Sequence, residues 1–294
     1  MKILVTGADG FVASELIPKL SKHDIIALDY IQTPKPINIS SEIEFINTDL
    51  SKEVPPIGDI DLIIHLATVN QLAISDSPKL VNVNITAIHN VIELAAEKNA
   101  KLIFSSSCSV YGPGLNLRED HPLNPQSLYS IGKTYEEHMI RFYHECHRVD
   151  TTILRFSNCY GDTTGIWNKR YIGKKDVIRL FMENIMNEQP ISLIRDMGRD
   201  YTYIDDVIES ILAMMKHKEF EIYNVGTGIE TTTNELPSMV SGALGIPTCI
   251  ITKPPRPTDN VIRRSLNVDK ISPYWKPKTS LKEGIKKYVK RVLS

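Results

Sequence analysis

The first thirteen residues, Met1-Lys2-Ile3-Leu4-Val5-Thr6-Gly7-Ala8-Asp9-Gly10-Phe11-Val12-Ala13, join a short apolar run to a glycine turn and then to an apolar-periodic helix, with no linker between them. Ile3, Leu4 and Val5 read as a strand buried on both faces, which a parallel sheet covered by helices provides. Gly7 can take backbone angles closed to other residues. Gly10 lets main-chain N–H groups approach a pyrophosphate, and small Ala13 lets the helix lie close to the sheet. The spacing is Gly-x-x-Gly-x-x-Ala rather than Gly-x-Gly-x-x-Gly, so the turn gains its meaning from the strands and helices that come after it in the chain.

Val12, Leu16 and Leu20 continue one helical face, and Pro18 removes the hydrogen bond to Ser14, so a kink or change of register is expected there. A second buried strand, residues 24–29, ends in Asp29, about 20 residues beyond the turn, where a carboxylate can accept hydrogen bonds from an adenosine ribose. That acid favours NAD over NADP, because a 2′-phosphate would meet a negative charge. Strands are expected at 44–49, 62–67 and 101–105, with a helix over 83–98 whose apolar side carries Val83, Ala87, Val91 and Leu94. Strands alternating with helices give an α/β fold, a Rossmann-like doubly wound parallel sheet that binds ligands outside the carboxyl ends of its strands. His65, inside an apolar strand, is expected to be a hydrogen-bonded core residue.

A formal net charge of −1 supplies no concentrated positive field, so neither nucleic acid nor an anionic membrane is expected as the main partner. No apolar run approaches the roughly 20 residues that cross a bilayer. Cys108, Cys146, Cys159 and Cys249 form no paired motif, and no secretory segment precedes the first strand, so a reduced cytoplasm is expected. His144-Glu145-Cys146-His147 has the wrong spacing for a helical zinc pair, and no metal is expected.

The fifth strand runs into Ser105-Ser106-Ser107-Cys108-Ser109-Val110-Tyr111-Gly112, which puts hydroxyls at the sheet's carboxyl edge. Ser127-Leu128-Tyr129-Ser130-Ile131-Gly132-Lys133 then opens a helix reaching about His147. Tyr129 and Lys133, four apart, share a helical face. A phenol with a pKa of about 10 is a poor base near neutrality, and an adjacent ammonium is expected to lower it. The pair suits proton transfer.

In this order, the nucleotide turn, the acid-ended strand, the serine-rich strand end and Tyr-x-x-x-Lys resemble the extended short-chain dehydrogenase/reductase superfamily, in its nucleotide-sugar epimerase/dehydratase branch. The resemblance covers nearly the whole chain. It implies that Thr6 to Phe11, with Gly7, Asp9, Gly10 and the adjoining Val12, hold an NAD pyrophosphate. Asp29 would hold the ribose, Asp49 and Leu50 the adenine edge, and Leu66, Ala67 and Asn84 would line the pocket; Thr68 stands where the family usually has alanine. Ser107 matches the catalytic Ser or Thr, Tyr129 the base, and Lys133 its supporting cation, which would also contact the nicotinamide ribose. The resemblance also implies a homodimer formed through the helices carrying Asn84 and Tyr129.

In the second half, Arg155-Phe156-Ser157-Asn158-Cys159-Tyr160-Gly161 is similar to the family's Arg-Phe-x-Asn-x-Tyr-Gly and marks the passage from an NAD-binding domain, 1–161, into a mainly substrate-binding lobe, 162–294, with some segments returning. Asn158 is expected near the sugar diphosphate. Residues 162–175 are expected to form a loop over the site. Arg199-Asp200-Tyr201 and Asn224-Val225-Gly226-Thr227-Gly228 match further blocks. Arg256-Pro257-Thr258-Asp259 is like Arg-Pro-Gly-Asp. Arg199 and Arg256 would clamp a substrate diphosphate. The last segment reads as a docked helix, with Leu281, Ile285, Val289 and Val292 inward and lysines outward.

The shared first step implied is oxidation at carbon 4 of a nucleotide-diphosphate sugar. Many dehydratases of the family carry acids at the two positions after the catalytic Ser or Thr, where this chain has Cys108-Ser109. With no carboxylate there to take the carbon-5 proton, the expectation is a 4-epimerase working through a 4-keto sugar. A dehydratase using the Cys108 thiol as acid is the alternative, followed by a 4-keto-sugar reductase and, in another class, a non-catalytic NAD-binding regulator.

Overall fold

The computed structural model describes residues 1–30, 43–162, 176–194, 196–255 and 261–294. Seven parallel strands form the larger sheet, in the spatial order β3 (Glu44–Asn47), β2 (Asp24–Asp29), β1 (Lys2–Thr6), β4 (Leu62–His65), β5 (Lys101–Ser107), β7 (Thr151–Phe156) and β11 (Glu221–Val225). The order reverses between β1 and β4, the crevice in which doubly wound sheets place their ligands. Successive side chains of a strand point to opposite faces, and the two faces bury two separate cores. Ile3, Val5, Ile64 and Leu154 join the first, while Leu4, Ile63 and Ile153 join the second. This is the covered, Rossmann-like sheet expected from the uninterrupted apolar strands.

The helix after the glycine turn is short. α1 (Phe11–Leu16) gives way to a 3-10 turn, Ile17–Leu20, with Pro18 in its first positions, the change of register expected from that proline. On the second face, α3 (Val81–Lys98) buries Ala87, Val91 and Leu94. α2 (Gln71–Asp76) lies between β4 and α3. β3 and β4 stop two residues short of the expected ends, because Asp49 closes its own turn with Ser51 and the chain leaves the sheet at Leu66.

A second sheet is assembled from distant pieces. β10 (Gly198–Tyr203) lies between β12 (Glu230–Thr232) and β14 (Arg263–Leu266), and β14 pairs in turn with β6 (Gly114–Leu117). β8 (Asn158–Tyr160) extends the carboxyl half of β10. β9 (Ile191–Leu193) and β13 (Ile250–Thr252) form a separate pair. β6 therefore leaves the first half of the chain for the smaller sheet, and β11 returns from the second half to the larger one.

Four further helices among the described residues precede the terminal one: α4 (Leu128–His147), α5 (Val177–Met186), α6 (Ile204–Met214) and α7 (Leu236–Leu244). The terminal helix, α8 (Leu281–Leu293), is docked through Ile285 and Val289 and opens on a capping box between Ser280 and Glu283. No described helix is long and apolar enough to cross a membrane.

Candidate active site

Gly7 has φ +68°, and a Cβ on it would stand 2.6 Å from the amide nitrogen of Ala67. Only glycine fits, both because of the left-handed backbone and because the end of β4 closes against the turn. Gly10 donates to the Gly7 carbonyl at 2.8 Å and is the N-cap of α1. Asp29, at the end of β2, accepts from the Asp9 amide at 2.8 Å and from the Tyr30 amide at 2.7 Å. The acid thus lies directly beside the turn.

Thr6 ties the neighbouring strand end down. Its hydroxyl bonds to His65 Nδ1 at 2.8 Å and accepts from the Ala67 amide at 3.3 Å. Burial, with Lys133 adding, holds the His65 pKa down at about 3, so the ring is neutral in a core position. Asn84, buried on α3, accepts from the Val69 amide at 2.6 Å and donates back to the Val69 carbonyl at 3.0 Å, which fixes the loop after Ala67. Leu50 is buried and its carbonyl accepts from Asn90, while the Asp49 carboxylate is engaged by Ser51 and Lys52.

The side chains expected to carry the chemistry lie at the carboxyl end of β5 and in the first turns of α4. α4 begins with a reciprocal cap in which Ser127 accepts from the Ser130 amide and Ser130 accepts from the Ser127 amide. This sets Tyr129 in the first helical turn, where its phenol is close enough to Ser107 for that side chain to act on its pKa, while Ser107 accepts from the Ser109 amide at 3.1 Å. Lys133 is one turn on and wholly buried. Its ammonium donates to Glu136 Oε2 at 2.8 Å and lies 4.6 Å from the centre of the Phe104 ring.

That ion pair corrects one expectation. The helical spacing predicts that Lys133 lowers the Tyr129 pKa, but in this structure the phenol is pushed up instead, first by burial and then by the negative charge of Glu136, with Cys108 and Cys159 adding and Ser107 opposing. The ammonium is compensated by its own buried carboxylate.

Beneath the pair lies a charge network that the sequence did not announce. Glu137 accepts from Ser106 at 2.5 Å and from Arg155 through both Nε and Nη2, the latter at 2.6 Å. Arg155 continues to the Tyr111 hydroxyl at 2.7 Å, and Tyr111 to Asn224 at 2.8 Å. Two acids one residue apart on a helix ordinarily read as a solvated edge. Their only signal was position, one turn after Lys133.

On the other side of the site, Asn158 donates to the Asp200 carbonyl at 3.0 Å. Asp200 itself accepts from Thr227 and from the Gly228 amide, and a Cβ on Gly226 would stand 2.5 Å from its Oδ2, which explains the glycines of that block. Arg199 donates to the carbonyls of Gly198, Val261 and Ile262. Its register neighbour Arg264 is buried, with no hydrogen-bond partner on Nε among the described residues. Cys108 is packed among Val110, Tyr111, Leu117 and Leu266. Burial, with Cys108 and Asp200 adding, pushes the Cys159 thiol up to about 12. Arg256 and residues 163–175 of the expected loop lie outside the described residues.

A sequence model of the NAD dependent epimerase/dehydratase family matches residues 3–226. The chain belongs to that family. As a member it is an NAD-dependent enzyme of the extended short-chain dehydrogenase/reductase type. The glycine cradle at Gly7 and the acid at Asp29 beside it fit that cofactor. A relative in Methanocaldococcus jannaschii, a putative UDP-glucose 4-epimerase, is 33% identical over 302 residues, covering 98% of this chain and 97% of its own. Among solved structures, UDP-glucose 4-epimerase of Thermotoga maritima with UDP-glucose matches at a TM-score of 0.89 and 28% identity over 100% of both chains. The Thermus thermophilus UDP-glucose 4-epimerase complex with NAD matches at 0.88 and 28%, over 100% of this family member and 99% of that chain.

Proposed function

We propose that the enzyme is a 4-epimerase of nucleotide-diphosphate hexoses, with a UDP-hexose as the first substrate to try. The observation that carries this is the placement of Ser107 at the end of β5 close enough to the Tyr129 phenol to oppose the rise in its pKa, with Lys133 one helical turn on and Cys108-Ser109 rather than an acid after Ser107. When bound, NAD supplies the hydride acceptor at carbon 4 and gives the hydride back. Tyr129 takes the proton from the 4-hydroxyl, and Ser107 holds that oxygen and passes the proton on. No carboxylate after Ser107 is available to remove the carbon-5 proton, so the 4-keto sugar is reduced again rather than dehydrated. Arg199, together with Arg256, holds the diphosphate, and Asn158 lies near it.

The test is to incubate the protein without added cofactor with UDP-, dTDP-, GDP- and CDP-hexoses and follow them by NMR. Interconversion of 4-epimers at constant mass is expected. Loss of water would replace the reading with a dehydratase, loss of carbon dioxide from a uronic acid with a decarboxylase, and consumption of added NAD(P)H with a reductase. Binding of NAD with no turnover of any sugar would leave a non-catalytic binder.

The same reading includes a homodimer in the cytoplasm. One face of α4 exposes Leu128, Ile131, Tyr135 and Phe142, with Leu72 of α2 exposed nearby and Tyr135 bonded to His89 of α3. An apolar surface of this kind suits a second copy of the chain. Sedimentation of the wild type and of Ile131→Glu tests it, and a monomeric wild type would overturn it.

A further inference from the structure

Glu136 is an acid where the fold gives it no water. It is 1% exposed, as is Lys133, and while Oε2 accepts from the Lys133 ammonium, Oε1 has no hydrogen-bond partner among the described residues. Half-satisfied buried carboxylates are costly, and each one in a native protein calls for a reason. The nearby groups supply none of a structural kind. Gly132 packs against Val81 of α3, and the Phe104 ring of β5 lies against the Lys133 ammonium, so both are apolar neighbours. The charged and titratable groups that act on Glu136 are Lys133, which stabilises its charge, and Glu137, which opposes it. Glu137 already has its own cation in Arg155 of β7. His65 of β4 faces Lys133 and is neutral. The Tyr129 phenol feels Glu136 as a negative charge.

Glu136 therefore stands in opposition to the proposed chemistry. It occupies the ammonium that Tyr129 needs, and its negative charge adds to burial in raising the phenol's pKa. We propose that Glu136 is the positioning residue for Lys133, holding the ammonium while the cofactor site is empty and taking up one proton when Lys133 turns to the cofactor. The uptake is balanced: a carboxylate and a solvent proton become a carboxylic acid, with no electron transferred. The neutral acid leaves Lys133 free, and it removes the negative charge acting on Tyr129. Loading with NAD then also prepares the base.

This rests on the reading of Lys133 as a ligand of the nicotinamide ribose. The test is calorimetric titration of NAD into the full chain freed of nucleotide, in buffers of differing ionisation enthalpy. Wild-type protein is expected to take up about one proton per NAD, with affinity weakening up to about tenfold per pH unit as pH rises through the titration of Glu136. Glu136→Gln, isosteric and uncharged, is expected to bind NAD without that uptake and with a flat pH profile. Its thermal melt reports folding, and the wild-type proton count decides the matter if the variant is unstable. Absence of uptake in the wild type, or the same uptake in Glu136→Gln, overturns the inference. Lys133→Met separates the two layers. If it weakens NAD binding while the wild type takes up no proton, the Glu136 inference alone fails; if it binds NAD as wild type does, the ribose reading fails and takes the inference with it.

Discussion

Tyr129 and His65 show how far burial can move an ordinary side chain. Removing the phenolic oxygen leaves the ring's packing in place, so Tyr129→Phe is expected to cut turnover by about 10²–10⁴ or more while NAD affinity stays near wild type. Equal turnover in an NMR epimerisation assay would remove Tyr129 from the base role. His65 has the opposite task, since it must stay neutral in the core. Its folded pKa is depressed to about 3 from 6.5, so the stability it contributes is fully present above pH 6.5 and is lost as pH falls toward 3. The separation corresponds to at most about 5 kcal/mol. Urea midpoints measured across that window should fall less steeply for His65→Gln, which can still bond Thr6, than for the wild type.

Elements were legible in the sequence where their signal was local. The strand, glycine turn and helix of residues 2–16 could be read because Ile3 to Val5, Gly7 and Pro18 each restrict their own backbone. Ser107, Tyr129 and Lys133 could be placed by strand end and helical spacing. The smaller sheet was not legible. Its strands are three to six residues long and pair across the chain, as Arg264 does with Gly114 and Thr232 with Gly198, so no run of sequence carries the pattern. Glu136 and Glu137 were missed because acids on a helix ordinarily face water. Gly284 is a similar case in α8, where a Cβ would fall 1.9 Å from the Tyr160 hydroxyl oxygen. Gly284→Ala is therefore expected to lower the melting temperature, although alanine is the better helix former by about 1 kcal/mol; a raised one would show that α8 can shift. Gly7→Ala should cost about 1–3 kcal/mol of stability from backbone strain and weaken NAD binding, both measurable in one thermal-shift titration.

At the scale of the whole molecule, the two sheets share one buried network. Arg155 of β7 joins Glu137 of α4 to Tyr111, and Tyr111 reaches Asn224 of β11, whose amide donates to the carbonyls of Leu117 and Asn267. Removing one charge strands the other, so Arg155→Met is expected to lose about 3–5 kcal/mol in chemical denaturation. A loss under about 1 kcal/mol would mean that Glu137 finds water. The threading also bears on synthesis. β11 seals the edge of the larger sheet beside β7, yet it leaves the ribosome only after β8, β9 and β10. A nascent chain halted at residue 161 would present a bare strand edge with no partner to cover it, which makes the two halves obligate companions at birth.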